Sequence, residues 1–312
     1  MSERSDLRDG IIGSFIYSLL LIVSALTPFA LLSLSILPLP ALVYTAKHTR
    51  KAGAIFVLVL AGLSIFFGLF WLLLTLVAAG TGWAMGQFHH SERRSIRGLL
   101  IAGTVSLLAG FVLLLSLLSA VEGFHLTHEL EQQWASTTAI YQEIWGQMGM
   151  EVSESELNAA QEMMLSLLPA GFLITAGSTA LLNHGVGRWV LRRLEVPTVH
   201  LPPFQEWHFP RSLLAWYIVS VIVLLLSEAG SYWYSTAMTA NWLITLLFVV
   251  QALSFLTALV VRFTRVPKTW TLLFFVLLFP FIAVILFILY VPLSFLGMLD
   301  IGFRFRDKFK RT

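Results

Sequence analysis

The chain has 312 residues, 57% of them hydrophobic and 12% charged, with a mean hydropathy of +0.82 and a formal net charge of +3. That balance lies far outside soluble globular usage and identifies a polytopic membrane protein. The basic residues sit in short loops beside apolar runs, which sets orientation in a bilayer and is no nucleic-acid footprint; the absence of cysteine removes disulfides, thiolate metal sites, iron–sulfur clusters and cysteine nucleophiles.

The opening MSERSDLRDG precedes an apolar run much longer than a signal-peptide core, so an uncleaved first span is expected. Residues 10–46 carry no formal charge and exceed what one crossing of a ~30 Å core needs. They divide into two segments near Pro28. The stretch 28–53 is interrupted at Pro28, Pro38 and Pro40 and ends in Lys47, His48, Arg50 and Lys51. Proline removes a backbone donor and disfavours helix in the residue before it, so this reads as a broken segment. Broken backbone at membrane depth needs protein or a polar cavity around it, which argues for a compact bundle with a site at its centre.

Residues 52–91 again form two segments, with Gly62, Gly68, Gly80 and Gly82 as break points, and Gly82 with Gly86 makes a GxxxG pair that permits close packing. Residues 98–121 read as a single span approached from the cytoplasm by Arg93, Arg94 and Arg97. The stretch 122–162 then holds eight glutamates and no lysine or arginine, which assigns it to the outer face. Leu126, Leu130, Trp134, Thr137, Tyr141, Ile144 and Met148 recur at helical spacing, and Ser153 to Glu156 fits a capping box. A second helix runs from there through Met163 and Met164 into a span ending near Leu182. This acidic external insertion suits a lid or partner-docking surface; the plainer reading is a helical hairpin resting on the bundle.

Arg188, Arg192 and Arg193 return the chain inside, and a loop with Pro197, Pro202, Pro203 and Pro210 is expected to be extended. Trp207 and Trp216 read as interfacial anchors for a span over residues 212–227. An outer turn through Tyr232, Trp233 and Tyr234 leads to a return span, 242–261. The run 270–299 precedes a basic tail, 300–312, and either crosses once or bends at Pro280 or Pro292. The expected fold is all-α, a single integral domain (1–312) of eight or nine membrane segments with an inside N-terminus.

Glu228 is the sharpest residue for chemistry, because an acid at membrane depth costs about 2.5–3.5 kcal/mol and needs a compensating role. It is either a site residue or a solvated helix end. Asn183, His184, Asn241 and Gln251 either line a polar cavity or hydrogen-bond between helices. His125, His128 and Glu129 read H-x-x-H-E, which is not the metalloprotease order and offers no third ligand. No phosphate-cradling, dinucleotide or nucleophile-elbow motif is present, so neither cofactor, metal nor enzymatic activity is expected.

Three stretches resemble the YybS-like family of bacterial multi-pass membrane proteins. They are Leu37-Pro38-Leu39-Pro40-Ala41-Leu42, Phe204-x-x-Trp207-x-Phe209-Pro210, and Leu296-Gly297-Met298-Leu299-Asp300-Ile301-Gly302-Phe303-Arg304-Phe305-Arg306. That family is in turn similar to the S components of energy-coupling-factor transporters, which hold a ligand near the outer side. The resemblance implies a location in the bacterial cytoplasmic (inner) membrane and a pocket between the Pro28 to Pro40 segment, with Pro38 and Pro40, and the later helices, near Glu228, to which Asn183, Asn241 and Gln251 are candidates to contribute. The first segment lacks the Ala-x-x-x-Ala that many S components use for docking. The expected function is therefore a small-molecule binding or transport subunit. The alternative is a non-transporting scaffold that binds partner proteins, or another copy of itself, through Trp134, Tyr141 and Trp145 or through Arg304 and Arg306.

Overall fold

A computed structural model describes residues 2–89, 95–149, 153–228, 230–263 and 289–303. Regular structure among these is helical, without strands. The helices are α1 (Ser2–Leu26), α2 (Ala30–Ile36), α3 (Leu39–Lys47), α4 (Arg50–Ser64), α5 (Leu69–Gly86), α6 (Ile96–Glu122), α7 (Leu126–Gln147), α8 (Glu154–Ser166), α9 (Leu168–Arg193), α10 (Ser212–Leu226), α11 (Tyr232–Phe263) and α12 (Leu289–Phe303). They divide into two compact units: Met1–Gln161 with Gly171–His200, and Glu162–Ala170 with Leu201–Thr312.

Local signals set the helix ends. Thr49 Oγ1 accepts from the Ala52 amide and Ser95 Oγ from the Gly98 amide, each at 3.2 Å, satisfying donors that a first helical turn leaves unpaired. The run 52–91 breaks at Gly68, whose φ of +100° closes the short turn Ile65–Phe67. The expected capping box forms at α8: Glu156 N donates to Ser153 Oγ at 3.3 Å, and Ser153 N donates to Glu156 Oε2 at 3.0 Å. Those donors hold the Glu156 carboxyl below the usual carboxylate range, so the box is complete above that range and is lost as pH falls through the lowered value.

The run 10–46 divides at Pro28, and Ser24 Oγ donates to Ser33 Oγ at 2.7 Å across the turn between α1 and α2. Pro38 and Pro40 interrupt less than expected. Leu37 and Pro38 keep right-handed helical angles, and Leu42 N donates to Pro38 O at 3.0 Å, so α2 and α3 form one loosened span, Ala30–Lys47. Both prolines fall at the start of α3, where a missing N–H costs least.

This loosened span is the centre of the first unit. Leu37, Ala41, Leu42, Thr45 and Ala46 are all buried. Leu37 and Ala41 pack with Tyr17, Leu21, Phe56, Leu60, Ala78 and Ala79, while Leu42 and Ala46 pack with Met85, Leu99, Ala180 and Leu191. The Gly82–Gly86 pair lets α5 approach it. A Cβ on Gly82 would be driven into the Pro38 carbonyl oxygen, and one on Gly86 would stand 2.7 Å from Thr45 Cβ and 2.8 Å from Leu42 O.

Two expectations need correction. α9 does not end near Leu182 but continues to Arg193, because Asn183 and His184 are buried and Gly187 seats against Leu42. Tyr232 to Tyr234 belong to the first turn of α11 and not to the turn before it.

Six helices among the described residues are long and apolar enough to cross a membrane, or seven if α8 and α9, bent by 46°, count as one. That is fewer than eight or nine. α10 has fifteen residues; at 1.5 Å each it spans about 22 Å, short of a ~30 Å core. Residues 270–288, with the possible bend at Pro280, lie outside the described residues.

Replacing Gly82 by leucine overfills the α3–α5 contact and is expected to cost about 1–3 kcal/mol. Gly80→Ala, with nothing within 4 Å of the added carbon, should be neutral or slightly stabilising. Thermal unfolding of the two purified variants checks both.

Candidate functional site

An uncharged run folded into an antiparallel hairpin brings its two charged ends together. Asp9, about two turns into α1, meets Lys47 and His48 at the end of α3: Lys47 Nζ lies 2.5 Å from Asp9 Oδ2, and His48 Nε2 lies 3.1 Å from the same oxygen. His48 Nδ1 lies 3.0 Å from Asp6 Oδ1, so both ring nitrogens face carboxylates. Tyr44 stacks on Phe56 with ring centres 4.3 Å apart and leans on His48 at 4.5 Å, bracing the cluster against α4. Beside this cluster a crevice of about 470 Å³ opens between α1, α3 and the end of α9, walled by Ile12, Ile16, Pro40, Val43, Val190 and Leu194. An apolar recess with a few converging polar groups at its mouth has the make-up of a small-molecule site.

Of the residues singled out from sequence, Pro40 lines this crevice, while Pro38 is buried under Gly82. Asn183 serves the loosened span: its Nδ2 donates to Ser35 O at 2.7 Å and to Thr179 O at 2.8 Å. An amide side chain thus occupies a carbonyl just before the two prolines, which is how irregular backbone is accommodated at membrane depth. Next to it, His184 is buried, and its Nε2 has no hydrogen-bond partner among the described residues.

The remaining polar residues lie in the second unit. Asn241 Nδ2 donates to Ser220 Oγ at 3.2 Å, joining α11 to α10. Gln251 is fully buried; its Nε2 donates to Asp300 Oδ2 of α12 at 2.6 Å and its Oε1 accepts from Phe209 N at 3.0 Å. Ser254 Oγ adds a 3.1 Å bond to Trp207 O. The extended loop before α10 is thereby fastened to α11 and α12. Glu228 occupies the turn after α10 with its side chain exposed, and its carbonyl accepts from Ser231 N at 3.1 Å.

On α7, Trp134 and Trp145 are partly covered and Tyr141 is exposed, with Tyr141 stacked on Trp145 at 5.5 Å. His128 pairs with Gln132 at 2.9 Å on the exposed helix face. Arg304 and Arg306 lie outside the described residues.

Sequence reasoning did not single out Asp6, Asp9, Lys47 and His48 as a cluster, nor Asp300 as a buried acid. The first had a visible signal, since Asp9 and Lys47 flank the uncharged run of two antiparallel segments. Asp300 had none, because it borders the basic tail and reads as solvated.

Buried interhelical amides, a glycine-seated central span and six or seven membrane-length helices define a polytopic helical membrane protein. The family described as predicted membrane protein (DUF2232) matches residues 15–301, and the chain belongs to that family. The chain is also 25% identical to the uncharacterized protein YybS of Bacillus subtilis (strain 168), over 99% of this chain and all of that one. No solved structure matches. The three stretches that carry the family likeness are all packing stations here: the Pro38–Pro40 turn under Gly82, the Phe204–Pro210 loop held by Gln251 and Ser254, and the α12 segment around Asp300. Gly297 belongs to the last, where an added Cβ would collide with the Phe248 carbonyl.

Gln251→Leu removes the donor to the Asp300 carboxylate and the acceptor for Phe209 N together. It is expected to destabilise the protein by about 1–3 kcal/mol, read as a lowered unfolding temperature, while Glu228→Gln at the exposed turn leaves that temperature unchanged.

Proposed function

We propose that the protein is a small-molecule binding subunit that takes an amphipathic ligand into the crevice between α1, α3 and α9. The observation carrying this reading is the joining of an apolar recess of about 470 Å³ to the Asp9–Lys47–His48 cluster at one end. The walls suit a hydrocarbon or ring body, and the charged rim suits a polar head. Closeness of Lys47 to the basic cluster at 50–51 puts the mouth on the cytoplasmic side by the positive-inside rule. This moves the ligand away from Glu228 and the outer side, where the likeness to S components had suggested it. Ligand capture is the extent of the reading; coupling to an energy source is not part of it.

Native mass spectrometry of the protein gently extracted from its host membrane tests this. A single small molecule should leave with the wild type in stoichiometric amount and be lost from Val43→Trp, which fills the recess. An empty wild type, or equal retention by a folded Val43→Trp variant, overturns the reading.

A scaffold role is the second reading, and it is favoured by α7. None of this helix's residues is buried among the described residues, and Ile140, Ile144 and Met148 are exposed beside the Tyr141–Trp145 stack. Exposed apolar residues in a row mark interaction surfaces. A protein partner recovered stoichiometrically with the wild type and lost from Tyr141→Ser/Trp145→Ser supports it; recovery unchanged in that variant removes α7 from the role.

A further inference from the structure

The last turns of α9 carry a second recess that the crevice does not use. Gly185, Arg188, Trp189, Arg192 and Arg193 line an open depression of about 500 Å³. Helical spacing arranges these residues as two adjacent ridges. His184, Arg188 and Arg192 recur every fourth residue along one; Gly185, Trp189 and Arg193 do so along the other. Gly185 forms the floor, since a Cβ there would meet nothing within 4 Å. The Arg193 guanidinium lies over the Trp189 ring at 4.0 Å, which fixes its plane.

The charge at this recess is unbalanced. The ion pairs among the described residues involve Arg8, Lys47 and His48 with Asp6 and Asp9, and none engages Arg188, Arg192 or Arg193. Arg188 Nε is a buried donor without a hydrogen-bond partner among the described residues, and His184, 2% exposed one turn earlier, leaves Nε2 unpartnered. An unpaired buried donor on Arg188, with two further guanidiniums beside it, calls for an acceptor with several oxygens and negative charge. A carboxylate offers two such oxygens and a phosphate more, in a shape that guanidinium forks match in pairs. Trp189, 56% exposed, is the residue type that settles at headgroup depth, where lipid phosphates lie.

We infer that this depression is a phosphate-binding site, filled by the phosphodiester of an anionic phospholipid or by a soluble phosphate ester. Orientation by the positive-inside rule needs only positive charge, which lysine supplies equally well. Recognition by paired guanidinium forks does not survive that exchange.

The test uses the full-length protein. One arm places it in mixed micelles of phosphatidylglycerol and phosphatidylcholine and counts retained lipids by native mass spectrometry. The other titrates glycerol 3-phosphate calorimetrically in lipid-free detergent. Retention of phosphatidylglycerol over phosphatidylcholine with a silent titration identifies the lipid source; heat with 1:1 stoichiometry identifies the soluble one. Either result supports the site. The exposed pair Arg192→Gln/Arg193→Gln should weaken the binding observed by about fivefold per arginine, with an unchanged unfolding temperature. The charge-conserving variant Arg188→Lys/Arg192→Lys/Arg193→Lys should also weaken it. Absence of binding in both arms overturns the inference, and so does a lysine variant that binds as the wild type does.

Discussion

The close approach of α5 to the loosened span α2–α3 is the contact on which the first unit depends. In a bilayer, helices gain nothing by hiding apolar surface from lipid, so association rests on van der Waals fit and interhelical hydrogen bonds. Gly82 and Gly86 supply the fit by letting the α5 backbone reach Pro38, Leu42 and Thr45. Asn183 supplies the hydrogen bond by donating to the Ser35 carbonyl just before the prolines. The irregular turn is thus tolerated because glycine backbone covers one part of it and an amide side chain serves another. Once α3 is seated in this way, α1, α4 and α9 have a common element to pack against.

The second unit uses the same two devices on different residues. Gly297 admits the Phe248 backbone, and Gln251 ties Asp300 of α12 to the Phe209 amide of the extended loop. An amide serves each junction: Asn183 by donating to two carbonyls, Gln251 by donating to a carboxylate and accepting from a backbone amide. The family match, over residues 15–301, spans both junctions.

Both candidate recesses belong to the first unit, and both involve the end of α9. The crevice is apolar with a paired, balanced charge cluster at its rim; the arginine depression is polar, and its guanidiniums make no ion pair among the described residues. A balanced cluster ties α1 to the end of α3, whereas guanidiniums without an ion pair among the described residues suit an anion. The two recesses therefore suit different parts of ligand space, a hydrocarbon body in one and a phosphate in the other. The polar helix α7, with its exposed aromatic stripe, is a third surface whose chemistry differs from both.

The membrane class, the all-helical fold, the division at Pro28, a glycine break within residues 52–91 and the capping box at Ser153 were all legible in the sequence, although which of four glycines makes that break was not. Each is a local matter of apolar run length, proline or glycine backbone, or a side chain reaching three residues along. The family likeness was legible too, since its stretches are short and contiguous. What depended on tertiary structure was the meaning of the polar residues. For Asn183, Asn241 and Gln251 a helix contact was the favoured expectation over a cavity, but only the groups packed around each amide decide its role. Asp300 read as solvated tail and is buried, since only the packing of α12 on α11 decides its exposure. The extent of α9 past Leu182 and the meeting of Asp9 with Lys47 likewise came from contacts between residues far apart in the chain, which apolar periodicity along a single helix does not encode.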